Sequence, residues 1–196
     1  VKKNEQYIYG KDEVICPAQF FDSILSDEKI GNYAWYKIYK KELFAEVTFP
    51  KGKAFEDINT TYKLVLLSDK ISIINEALYY YRQRWNSISN SVNVDNLRNQ
   101  IDAIVERNKT ISSKFPYLMK KCKINELKFY VINYNQISKK YKYGFKELIW
   151  YRNNIIELSR YYKLNGTKYC LICFCIIRLP IIYSSLIYLI AHIKNR

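Results

Sequence analysis

From Asn93 onward, apolar residues recur every three to four positions, with Lys and Arg filling the positions between. Val94, Leu97, Ile101, Ile104, Val105 and Ile111 make one such stripe, and Asn93 just before it is a residue type suited to cap a helix. Residues 124–137 repeat the pattern with Leu127, Val131 and Tyr134, and residues 145–162 repeat it with Leu148, Ile149, Ile155 and Ile156. Such stripes are buried by packing on one another. Residues 91–168 are therefore expected to form basic amphipathic helices.

The charge follows the same division. Residues 1–106 hold 14 Lys/Arg and 15 Asp/Glu, whereas residues 107–196 hold 18 and 3. A polyanionic partner is implied for the second half, either nucleic acid or an anionic membrane surface. The apolar stretch 169–193 (YCLICFCIIRLPIIYSSLIYLIAHI) favours the membrane. It is about long enough to cross a bilayer, which takes roughly 20 residues. Arg178 and Pro180 fall near its middle and argue against a clean span. A bent helix pair lying in the interface is expected, peripheral or monotopic at the cytoplasmic face of the cell membrane, with residues 169–196 as a membrane-associating segment. A buried helix of a soluble core is the alternative. Nucleic acid is the less favoured partner: there is no helix-turn-helix signature, zinc finger or aromatic RNA platform.

The first 90 residues are built differently. Residues 17–25 read as a short helix with Phe20, Phe21, Ile24 and Leu25 on one side, and residues 33–44 as a second. Residues 47–52 are extended and close on a Pro/Gly turn signal. Residues 56–68 form a helix whose first turn carries Glu56 and Asp57, favourable to its dipole. Residues 71–74 and 77–82 are strand-like, and residues 86–91 are a polar loop. With five glycines and no G-x-G-x-x-G or G-x-x-x-x-G-K, a phosphate-cradling glycine loop is not expected. Cys16, Cys122, Cys170, Cys173 and Cys175 are odd in number, so a disulfide framework is not expected either. The spacing of the last three suggests a metal cluster, but the sole histidine is His192 and no second ligand pair exists. The polar opening VKKNEQYIYGKDEV lacks a signal-peptide pattern. The chain is expected to begin inside something longer.

Between Gly31 and Ser89 the segments acquire a specific order. A Trp35-x-Lys37-x-Tyr39 segment is followed by Leu43-Phe44, a Phe49-Pro50-x-Gly52 turn and a Glu56-Asp57 pair opening a helix. Tyr79–Tyr81 with Arg82 then precede Asn86-Ser87-Ile88. This set resembles the carboxyl-terminal half of the catalytic domain of bacterial family 2 glycosyltransferases. These are inverting GT-A enzymes, nucleotide-diphospho-sugar transferase like, that build capsular or surface polysaccharides. The resemblance covers roughly 60 residues.

It implies an α/β ancestry, present here as an incomplete carboxyl-terminal GT-A half (residues 1–90, the acceptor side) with a short β-ribbon, followed by a mostly α-helical basic tail. It implies Asp57 as the general base that takes the acceptor hydroxyl proton, with Glu56 beside it. Taken alone, the pair could be a plain acidic first turn. Positive charge must meet the departing diphosphate, and Arg82, Arg84 and Lys37 are the candidates. Trp35 and Trp85 are candidates to stack on a sugar, with Trp35 otherwise packing its own helix. Processive relatives carry Gln-x-x-Arg-Trp; here Arg84-Trp85 is preceded by Tyr81, which favours single-sugar transfer. The family's nucleotide-sugar site and its Asp-x-Asp for a divalent Mn or Mg lie in the amino-terminal half, and no Asp-x-Asp occurs here. The fragment is expected to bind no cofactor, to need that missing nucleotide-binding half as a partner, and to act on a saccharide or lipid-linked acceptor. A nonenzymatic membrane-surface assembly protein and, behind it, a basic nucleic-acid-binding helical domain are the alternatives.

Overall fold

In the computed structural model, residues 12–26, 30–80, 82, 93–160, 162 and 166–193 are described here. They are mostly helical, with one two-stranded antiparallel sheet. The chain divides into two compact units, Val1–Ser87 and Ile88–Arg196.

In the first unit β1 (Glu13–Ile15) pairs with β2 (Ile71–Ile73), in register Glu13↔Ile73, Val14↔Ser72 and Ile15↔Ile71. Asp12 Oδ1 extends the pairing by accepting from Asn75 N–H at 2.7 Å. α1 (Pro17–Ser26) starts with proline at its first position, where the absent N–H costs nothing, and Gln19 Oε1 accepts from Cys16 N–H at 2.9 Å. Phe20, Phe21, Ile24 and Leu25 are buried, as their spacing predicts. α2 (Glu56–Leu66) buries Ile58, Tyr62, Leu64 and Val65 in the same unit.

Two expectations for this unit are corrected. Residues 33–44 are not a helix but two short 3₁₀ turns, Ala34–Tyr36 and Lys41–Phe44, with Lys37 extended at φ −120°, ψ 146°. Tyr33 and Trp35 stack with centroids 5.5 Å apart. Residues two apart on an α-helix face different sides, so this contact is incompatible with helical continuation. Residues 77–80 are not a strand: Leu78, Tyr79 and Tyr80 are exposed, and the partner of β2 is β1 instead.

The second unit contains α3 (Val94–Lys114), α4 (Met119–Ser138), α5 (Lys146–Ser159), α6 (Thr167–Arg178) and α7 (Pro180–Ile193). Asn93 caps α3, its Oδ1 accepting from Asn96 N–H at 3.1 Å. The core joins Leu97 and Ile101 of α3, Leu127, Val131, Tyr134 and Ile137 of α4, Leu148, Tyr151 and Ile155 of α5, and Cys173 and Ile176 of α6. Ile149, expected on the apolar face of α5, is 41% exposed. Its neighbour Trp150 instead covers the Arg98 guanidinium, 3.2 Å from ring centroid to Cζ, and Arg98 pairs with Glu147 at 2.7 Å. Arg107 is buried and donates to Asn125 Oδ1 (2.7 Å) and Asn108 Oδ1 (2.9 Å), which holds α3 to α4 through polar groups.

No single helix among the described residues is long and apolar enough to cross a membrane. The expected break in the apolar segment is present: α6 and α7 meet at 116°.

Candidate functional site

The local chemistry of the first unit converges on the start of α2. Phe55, at its N-cap, adopts a left-handed conformation (φ 60°, ψ 39°), the sole positive φ of a non-glycine residue among those described. This costs a side-chain-bearing residue roughly 1–2 kcal/mol and is typical of functional turns. The chain enters the helix sharply, leaving Glu56 exposed and Asp57 half-buried. Asp57 Oδ1 accepts from Ile58 N–H at 2.8 Å, satisfying one donor of the first turn.

Burial raises the pKa of Asp57, with Glu56 adding to the rise, while the Ile58 N–H and the charge of Lys37 oppose it. Lys37 is the complement. Burial lowers its pKa to about 7, and Asp57 pulls it back up. Its Nζ donates to Gly31 O (2.6 Å) and Tyr33 O (2.7 Å) and lies 3.9 Å from the Tyr36 ring centroid. The Tyr36 hydroxyl in turn accepts from Gly31 N–H and donates to Gly31 O (2.8 Å). Thr61 Oγ1 donates to Asn32 O (2.8 Å) and meets the Tyr39 hydroxyl at 3.5 Å. Burial raises the Tyr39 pKa, and the charge of Asp57 raises it further. Asp57, Lys37 and Tyr39 thus form one electrostatic group. A carboxylate whose proton affinity burial raises is better able to accept a proton.

Of the residues singled out by sequence, Asp57 and Lys37 are the two whose charges act on one another. Trp35 is not a packed helix residue: it is 40% exposed and lies between Tyr33 and Tyr79, 4.8 Å from the latter by ring centroids. Arg82 is exposed; Arg84 and Trp85 lie outside the described residues, as does the polar loop 86–91. Sequence reasoning missed the roles of Tyr36, Thr61 and Phe55. Thr61 follows Asp57 by four residues and so shares its helix face, a signal available in the sequence. Nothing in a phenylalanine signals a left-handed turn.

Among the described residues no group of three or more His, Cys, Asp or Glu could hold a metal ion. Cys170 is exposed, Cys175 half-buried and Cys173 buried, with its thiol pushed up to about 11 by burial, the protonated form rather than the ligating one. No group among the described residues fits the divalent metal of the family, which the resemblance places in the amino-terminal half.

No family model matches the chain, and no solved structure matches it. Two curated proteins of Streptococcus pneumoniae serotype 4 do. Glycosyltransferase GlyG is 37% identical over 89 residues, 42% of this chain and 30% of GlyG. Glycosyltransferase GlyA is 31% identical over 100 residues, 49% of this chain and 14% of GlyA. The chain spans under a third of the length of either relative. The two matches support a glycosyltransferase relationship for this chain.

Proposed function

We propose that this chain is the carboxyl-terminal, acceptor-side part of an inverting family 2 glycosyltransferase of the GT-A type, acting in surface or capsular polysaccharide synthesis. The acceptor hydroxyl oxygen attacks the anomeric carbon of the donor sugar, the bond to the diphosphate breaks, and the hydroxyl proton passes to Asp57. Lys37 is tethered by two carbonyls and the Tyr36 ring. Its charge acts on Asp57, holding part of its proton affinity down. Arg82 and Arg84 are the candidates for meeting the diphosphate charge as it leaves. Trp35, exposed beside Tyr33 and Tyr79, offers an aromatic face to a sugar ring.

The observation that carries this reading is Asp57 itself. It is half-buried at a helix start behind a strained residue, with raised proton affinity and a cation acting on it, in a chain related to two glycosyltransferases. Donor binding belongs to the other half of the enzyme, so the chain alone is inactive. The test is nucleoside diphosphate release from a panel of nucleotide sugars. It is measured for the chain alone and for a fusion joining it to the part of GlyG outside the matched region, with cooperative melting as the folding control. Release by the folded fusion only is expected. Micromolar binding of a uridine-diphosphate sugar by the chain alone with Mn²⁺ would overturn the division of labour.

A further inference from the structure

The bent pair α6–α7 is fastened on one side only. Cys173, Ile176 and Ser184 are buried in the second unit. The Tyr134 and Ser184 hydroxyls meet at 2.6 Å, and Tyr183 OH donates to Asn135 Oδ1 at 2.8 Å, so α7 is pinned to α4. The break is held as well. A proline lacks the N–H that would pair with the carbonyl four residues earlier, and for Pro180 that carbonyl is Ile176 O. Arg152 of α5 fills the vacancy: its Nε donates to Ile176 O at 3.2 Å and its Nη2 to Ile177 O at 2.7 Å. The guanidinium thus satisfies the end of α6, where a cation also complements the helix dipole.

The other side of the pair is exposed. Leu171, Phe174, Ile182, Leu186, Leu189 and Ile193 are 53–71% exposed. An apolar surface of this kind marks an interaction site. The unit that carries it is basic in sequence, with 15 Lys/Arg and 3 Asp/Glu in residues 107–168, and two of its lysines lie near the pair. Lys128 Nζ lies 5.8 Å from the Tyr169 ring at the start of α6, and Lys142 Nζ 5.7 Å from the Tyr188 ring of α7. A second copy of the chain would bring like charges together; an anionic bilayer neutralises them.

We propose that the outer face of α6–α7 seats in the interfacial layer of an anionic lipid bilayer without crossing it, and that Arg152 sets the bend that keeps it there. Apolar insertion and basic flanks are the two signals that stable interfacial attachment requires. The attachment does not depend on the proposed role of the first unit in sugar transfer.

The full chain is tested by flotation with phosphatidylcholine vesicles, with and without phosphatidylglycerol. Co-flotation with the anionic vesicles, weakened by high salt, is expected. Phe174→Glu with Leu186→Glu, both on the exposed face, should reduce partitioning about tenfold or more with an unchanged circular dichroism spectrum. Depth is read separately from Phe174→Trp and Ile193→Trp, using lipids brominated near the headgroup or near the bilayer centre. Stronger quenching by the shallow bromines at both positions is expected. Stronger quenching by the deep bromines at either position would overturn the interfacial placement. Absence of flotation with anionic vesicles, with concentration-dependent self-association in sedimentation, would assign the face to a second copy.

Discussion

Asp57 and Lys37 shift each other's proton affinity, and both shifts translate into stability. The folded chain binds the Asp57 proton more tightly than the unfolded chain does. The stability this contributes is present in full below the ordinary aspartate value of 3.8 and is lost as pH rises through the raised one. At neutral pH the ionised carboxylate is therefore a burden on the fold, and Asp57→Asn is expected to be no less stable than the parent in urea at pH 7. Lys37 runs the other way. Its contribution is present in full above 10.5 and is lost as pH falls through about 7. The stability difference between the parent and Lys37→Met should accordingly shift toward the parent as pH is raised from about 7 to about 10. The pair is also coupled: Asp57→Asn should lower the Lys37 pKa further, read from the titration of its ε-carbon by NMR. Phe55 separates strain from packing. Phe55→Gly and Phe55→Ala lose the same ring, but only glycine relieves the left-handed backbone, so the glycine variant should be the more stable by about 1–2 kcal/mol in chemical denaturation.

Helices were the elements the residue pattern revealed best, and the reason is periodicity. The stripes through Leu97 and Ile101, Leu127 and Val131, and Leu148 and Ile155 are buried, and Asn93 caps the helix it precedes. Asn93→Ala should cost about 1 kcal/mol of stability by thermal or urea melting. Residues 33–44 misled because their apolar spacing looks helical while their contacts are not. Lys37 reaches back to Gly31 and Tyr33, and Tyr33 stacks on Trp35, neither of which a hydropathy pattern encodes. The β-ribbon was anticipated, but its partner strand was not. Glu13–Ile15 is too short to stand out, and pairing is settled by tertiary contact rather than by either segment alone. The break between α6 and α7 was legible from Pro180; the residue that stabilises it was not, since Arg152 lies in a different helix. Arg152→Met should destabilise the second unit by about 1.5–3 kcal/mol, as expected for hydrogen bonds from a charged donor. Arg152→Lys should recover only part, because an ammonium does not present the two-pronged donor set of a guanidinium.

On the scale of the whole molecule, the two compact units carry different chemistry. The first holds the Asp57 group and the ordered motif from Trp35 to Asn86; the second holds the basic helices and the exposed apolar pair. Of the candidate site, the acidic pair and Lys37 were singled out through the ordered motif and the resemblance it carries, Lys37 as a candidate for the diphosphate and not as a charge acting on Asp57. The shifts on which the proposed role of Asp57 as base rests were not legible, because burial and the charge of Lys37 act on it only once the chain folds back on itself. The relationship to GlyG and GlyA covers less than half of this chain in each case, so the proposed function rests on Asp57 more than on any other residue. The decisive measurement is nucleoside diphosphate release and product formation by the folded, donor-competent transferase carrying Asp57 or Asp57→Asn. A fall of about 10²- to 10⁴-fold in kcat, with folding and donor binding unchanged, is the result expected of a lost general base. Transfer at the parent rate by Asp57→Asn would contradict the assignment.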